Sequence, residues 1–183
     1  MRPVVMAVVS LSVMLPSAAR PTEAACSDPP APHVDWTGCL KTQIQLPGAD
    51  LTGAELTRVK MTGANLVQAT LSGAVMPQAN LQAARLTRAN LDRADLRAAH
   101  LGGADLSSAL LVEANLNTAS LAGANLRDAD LTGVDLQGAY LVGADLTGAK
   151  LEGARLDGAN LVRARWTDGR ICENDSIGIC KGE

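Results

Sequence analysis

The chain has 183 residues, a formal net charge of −3, 47% hydrophobic residues and 2% aromatic residues, with no Phe and one Tyr. So little aromatic volume excludes a core packed around large rings. The near-neutral balance excludes both a basic nucleic-acid-binding surface and a strongly acidic one.

Residues 1–19 read as a secretory signal peptide. Arg2 precedes an apolar run from Val4 to Leu15, followed by Pro16-Ser17-Ala18-Ala19. A basic start, an apolar stretch and small residues at −3 and −1 make the export signature. The run is too short to span a bilayer. Cleavage is expected after Ala19, or as late as residue 25. The mature protein is then periplasmic or secreted, with no stable membrane insertion.

Residues 20–43 are expected to form an N-terminal cap. Cys26 and Cys39 lie here, and Trp36 sits ten residues before Leu46, in phase with the repeat that follows. Position 41 has the same phase but is Lys41, with Leu40 beside it, so the first rung is expected to be irregular.

From residue 44 to 166 one pattern dominates. Every fifth residue from Leu46 to Trp166 is apolar: 25 positions, of which 22 are Leu, two are Met (Met61, Met76) and one is Trp. Two residues before each stands Ala, Val or Ile. On an α-helix such leucines would step by about 140° and scatter around the axis. On a continuous strand they would alternate between faces. Ala and Leu are two apart, however, so they share a face if that piece is extended. The other two residues then turn the chain. Thr52-Gly53, Thr62-Gly63, Ser72-Gly73, Thr132-Gly133, Gln137-Gly138 and Asp157-Gly158 place Gly second, where a turn often needs φ > 0. Repeated bends of one sense coil the chain into a solenoid with Leu and Ala pointing to its axis.

The units Ala-Asp-Leu-Thr-Gly (49–53 and 144–148) and Ala-Asn-Leu-Val-Gln (64–68) resemble the pentapeptide-repeat family. The resemblance covers 44–166. It implies an all-β fold, a right-handed quadrilateral β-helix with four units per coil, hence about six coils and a shaft of roughly 29 Å. It also adds the thylakoid lumen as a compartment if the source is photosynthetic.

Residues 167–183 are expected to form a C-terminal cap over Trp166, with Cys172 and Cys180. Export makes the four cysteines legible as disulfides. They fall in two local pairs, Cys26–Cys39 and Cys172–Cys180, whereas cross-pairing would have to span most of the shaft. Trp36 and Trp166 are read as hydrophobic plugs of the two ends rather than as ligand platforms.

No catalytic constellation is found. His100 stacks over Asn80 and under Ser120, with Asp95 and Asp105 on adjacent sides. No cofactor motif or metal set appears: there is no Cys-x-x-Cys, and Asp or Asn before Leu is not the glycine-rich aspartate repeat of calcium-binding β-rolls. The best-known members of the resembled family are acidic DNA mimics, and this chain lacks their charge excess. One side of the coil carries few charges, only Lys60 and Arg163. It displays Asn80, His100, Ser120, Ala122, Tyr140, Val142 and Val162, a candidate partner face. The expected function is a non-catalytic, rigid surface for an unknown protein partner, not nucleic acid. A homo-oligomer is compatible with the sequence but not indicated by it. The alternative is an inhibitor of another protein, including DNA mimicry against a topoisomerase, which charge and export disfavour.

Overall fold

A computed structural model describes residues 26–182. The expected signal peptide at 1–19, with its cleavage range to 25, lies outside these residues.

The unit Asp105–Ala109 shows how five residues build one side of a coil. The Leu106 N–H donates to the Asn125 carbonyl at 2.8 Å, and the Ser108 N–H to the Arg127 carbonyl at 2.8 Å, both on the following coil. The Asp105 N–H donates back to Ala84 at 2.9 Å, and the Ala109 N–H closes a turn on the Leu106 carbonyl at 3.0 Å. One donor remains, the Ser107 N–H, and the Asp105 carboxylate accepts it at 3.1 Å. Every amide of the unit is thus satisfied, as a packed backbone requires. The Asp or Asn before Leu is therefore the acceptor of an Asx turn. The same contact recurs at Asn65, Asn80, Asp95, Asn125, Asp145 and Asn160.

Parallel bridges join each residue to the one twenty further on, from Asp35↔Glu55 to Asp145↔Arg165. At five residues per side this makes four sides. From 35 to 165 is 130 residues at twenty per turn, or six and a half coils. Each side pairs through a single residue, because the next corner begins one residue after Leu. At these corners Gly53, Gly63, Gly73, Gly133, Gly138 and Gly158 have φ between +62° and +70°, where the Thr-Gly, Ser-Gly, Gln-Gly and Asp-Gly pairs place them. Among the described residues fourteen non-glycine residues hold the same corner position at φ of +53° to +58°. This left-handed conformation costs about 1–2 kcal/mol per residue, offset by the hydrogen bonds on either side of the corner.

The interior is two kinds of ladder. Every ladder residue from Leu51 to Leu146, including Met61 and Met76, is at most 1% exposed, and the intervening alanines are buried with them. Small Ala beside large Leu fills a narrow square column with no need for aromatic volume.

The two ends correct and extend the sequence reading. Regular pairing begins at Asp35, ahead of the boundary expected at 44, so Trp36 and Lys41 belong to the first coil. The irregular rung expected at Lys41 does not occur. Its N–H reaches the Lys60 carbonyl at 2.7 Å, as a ladder leucine's would. Its ammonium leaves the column to donate to the Cys26 carbonyl at 2.7 Å, lying 3.9 Å over the Trp36 ring. At the other end the chain turns after Trp166 and runs back antiparallel, with bridges Arg165↔Ile171 and Asn160↔Ile177. Both disulfides pair as expected, Cys26–Cys39 with Cα atoms 5.5 Å apart and Cys172–Cys180 with 4.9 Å.

Leu106 is fully buried. Leu106→Asp places a carboxylate in that column, and Leu106→Ala leaves a cavity costing about 2–5 kcal/mol. Thermal melts followed by circular dichroism should show a lowered transition for the Ala variant and loss of the cooperative transition for the Asp variant.

Candidate interaction face

The sides of the coil are distinguished by what their bridging residues present outward. One column runs Leu40, Lys60, Asn80, His100, Ser120, Tyr140, Asn160, each bridged to the next, and Ile177 of the C-terminal segment pairs antiparallel with Asn160. The sequence-predicted face residues Asn80, His100, Ser120 and Tyr140 therefore stand in one line, with Ala122, Val142 and Val162 at the corner beside it. Asn80 and Asn160 turn their side-chain carbonyls back to the Gln82 and Val162 N–H groups. His100 and Ala122 are exposed, Ser120 and Val162 half-buried. Tyr140 is 55% exposed and Val142 36%.

Sequence reasoning missed two members of this column. Leu40, 72% exposed, extends it at one end, and Ile177, 51% exposed, at the other. Leu40 was reachable, since it stands twenty residues before Lys60. Ile177 was not, because it arrives on a reversed segment outside the five-residue period.

Charges are sorted onto the remaining sides. Arg97 pairs with Asp95 at 2.7 Å, Arg127 with Asp145 at 3.3 Å, Lys150 with Asp130 at 3.0 Å, Arg93 with Glu113 at 2.8 Å and Arg155 with Asp135 at 3.5 Å. None of these five pairs lies on the low-charge side.

The groups that chemistry would need are already engaged elsewhere. The Asp95 carboxylate accepts both Arg97 nitrogens, and that guanidinium holds its carboxyl below the ordinary carboxylate range. Burial alone would raise the Asp105 carboxyl, but donors from Ser107, Thr87 and Asn125 outweigh it and lower it. The same balance, led by burial and overcome by Thr147 and Arg127, lowers Asp145. Neither Asp95 nor Asp105 hydrogen-bonds His100. Among the described residues no group of three or more His, Cys, Asp or Glu could hold a metal ion. A surface hollow of about 460 Å³ is lined by Ser72, Gly73, Asp92, Arg93 and Val112. Its Asp92 carboxylate is taken by the Val112 N–H at 2.9 Å, and its Arg93 by Glu113.

Trp36 is fully buried and donates its indole N–H to the Asp28 carbonyl at 3.2 Å. Trp166 is half-buried under the C-terminal segment.

Comparison with known proteins places this geometry. The family model described as pentapeptide repeats matches eight copies between residues 42 and 165. Among solved structures the chain is similar to HetL, a pentapeptide repeat protein involved in heterocyst differentiation regulation from the cyanobacterium Nostoc sp. The identity is 34% over 76% of this chain and 70% of that one, with a TM-score of 0.34. A plasmid-mediated fluoroquinolone resistance protein shares 20% identity over 77% of this chain and 78% of its own, TM-score 0.43. A pentapeptide repeat protein from the Arabidopsis thaliana thylakoid lumen shares 28% over 68% and 81%, TM-score 0.26. No curated protein sequence gives a significant match.

Asp50, Asp95, Asp105, Asp130, Asp145 and Asp175 all have lowered carboxyl pKa values in the folded chain. A folded-state pKa below the unfolded value of about 3.9 adds stability that is fully present above that value. It is lost as pH falls through about 4 and on through the lower folded values. Melting temperature should therefore stay level from pH 7 to about 5 and drop below about 4. Asp105→Asn, which keeps an Asx acceptor but has no carboxyl to protonate, should make the drop shallower.

Proposed function

The chain belongs to the pentapeptide-repeat family and is a right-handed quadrilateral β-helix with a disulfide at each end; on that premise we propose that it is an exported, non-catalytic protein that binds another protein through its low-charge side. The observation that carries this reading is the column from Leu40 to Ile177, with its exposed Tyr140 beside exposed Val142. On the other three sides, paired charges keep the surface hydrated. On this side, where Lys60 and Arg163 are the charges of the repeat, a partner would displace water mainly from small, neutral and apolar groups, the composition found at the centre of protein interfaces. Ladder spacing also makes the side flat and rigid, so little ordering entropy is lost on association.

Export is supported by the basic-apolar leader read in the sequence and by two disulfides, which persist in oxidising compartments. The non-catalytic reading is supported by the engagement of Asp95 and Asp105 away from His100.

Crosslinking the mature protein in its native compartment, followed by identification of the captured protein, defines the partner. Val142→Asp combined with Ala122→Asp should then abolish that association while leaving the melting temperature within a few degrees, since both side chains face solvent. Unchanged association of the double variant would reject the face.

A further inference from the structure

The two ends of the coil are finished differently. Within the shaft the sides over residues 131–138 are closed by the next coil: the N–H groups of Leu131, Gly133 and Leu136 donate to Lys150, Glu152 and Arg155 at 2.8–2.9 Å. The last coil has no successor. Its own tail replaces one over residues 159–165, with Leu161 N–H donating to Ser176 at 2.9 Å and Gly178 N–H donating to Ala159 at 2.8 Å. Nothing replaces it over residues 149–156. Among the described residues the N–H groups of Leu151, Gly153 and Leu156 have no acceptor, and the carbonyls of Ala149 and Ala154 have no donor. Beneath that edge Leu151, Ala154 and Leu156 are only half-buried, where equivalent residues of inner coils are sealed. The opening stops at Gly178, where even a Cβ would come within 3.3 Å of the Leu156 carbonyl.

An unpaired edge over part-exposed core is a template for strand addition unless something protects it. At the N-terminal end the Leu40, Gln45 and Asp50 N–H groups also have no acceptor among the described residues, but there Lys41 occupies a ladder position and carries its ammonium out to the Cys26 carbonyl over Trp36. The C-terminal end has no such charge at Leu151 or Leu156.

The geometry points to residues 149–156 as a seat for an extended segment of another polypeptide, added as an antiparallel β-strand beside the chain's own tail. The tail supplies the direction, since it already pairs antiparallel with the next two sides of the same coil at Asn160↔Ile177 and Arg165↔Ile171. It also selects the occupant. Residues 171–177 fill the next layer over two of the four sides, so a folded second copy would meet them before reaching Leu151. A single strand fits the remaining half layer. Its carbonyls would accept from Leu151, Gly153 and Leu156, its N–H groups would donate to Ala149 and Ala154, and alternate small or apolar side chains would cover the two leucines. This reading is independent of the low-charge side.

The test uses the disulfide-bonded protein and a synthetic peptide of residues 170–179 carrying Cys172→Ser, the strand that the neighbouring sides of the same coil already take. Amide hydrogen exchange is followed by NMR. At saturating peptide, exchange at Leu151, Gly153 and Leu156 should slow tenfold or more, with Leu106 unchanged. Leu151→Lys, which copies the Lys41 arrangement, should remove the slowing. Ala154→Glu, nearer the rim, serves if that variant melts early. The Val142→Asp, Ala122→Asp protein should still take up the peptide, which separates this proposal from the low-charge face. No slowing at millimolar peptide would overturn it. So would slowing that needs no peptide and grows with protein concentration, which would mean that a second copy occupies the edge.

Discussion

The structure depends on one accounting constraint: each five-residue unit must satisfy five backbone amides while turning a corner. Three are satisfied between coils, one within the turn, and the fifth by an Asp or Asn side chain where the unit carries one. That arrangement locks residue i over residue i + 20. Once the register is locked, the Leu and Ala ladders, the left-handed corners and the outward columns all follow. A slip of one residue would turn every leucine out of the column and strand each Asx acceptor.

The same constraint explains why this chain presents surfaces rather than a cleft. Ladder side chains point inward and are shared with no partner. Carboxylates at the bridging position are drawn into Asx turns and cross-coil pairs, as at Asp105 with Ser107, Thr87 and Asn125. What is left for recognition is the chemistry of whole columns, repeated at coil spacing. Three sides carry ion pairs between their charged groups; the fourth, with the column from Leu40 to Asn160, carries none of these and holds only neutral hydrogen bonds such as Thr62 to Asn80. Surface ion pairs of this kind stabilise little individually, so their segregation affects association more than folding.

A solenoid has no intrinsic stopping point, so its ends need separate solutions. At the front, Cys26–Cys39, Trp36 and Lys41 close the column with a covalent tie, a buried ring and a charge. Burial lowers the Lys41 ammonium pKa, with Asp28 opposing the effect, as expected of a cation held partly inside the stack. At the back, a reversed segment tied by Cys172–Cys180 covers half of the rim and buries Ser176, whose hydroxyl accepts the Lys181 N–H at 3.0 Å. Both ends hold apolar groups under a lid, but only the front lid carries a charge in line with the ladder.

The sequence by itself determined the coil. A period of five with Ala two before Leu, and Gly at the second corner position, leaves a turning solenoid as the common solution, because neither a helix nor a continuous strand keeps those leucines together. It also determined both disulfide pairs, since local pairing is the only kind the shaft allows; the low-charge side became legible once the family resemblance supplied four units per coil, so that columns could be read by counting twenties. Tertiary structure alone decided the ends. Lys41 looked like a break in the pattern, but its backbone keeps the register because the long side chain can carry its charge out to the Cys26 carbonyl. Ile177 and the open rim at 149–156 were hidden because the tail reverses direction. An antiparallel return follows no period, and which sides it covers depends on where the loop after Trp166 lands in space.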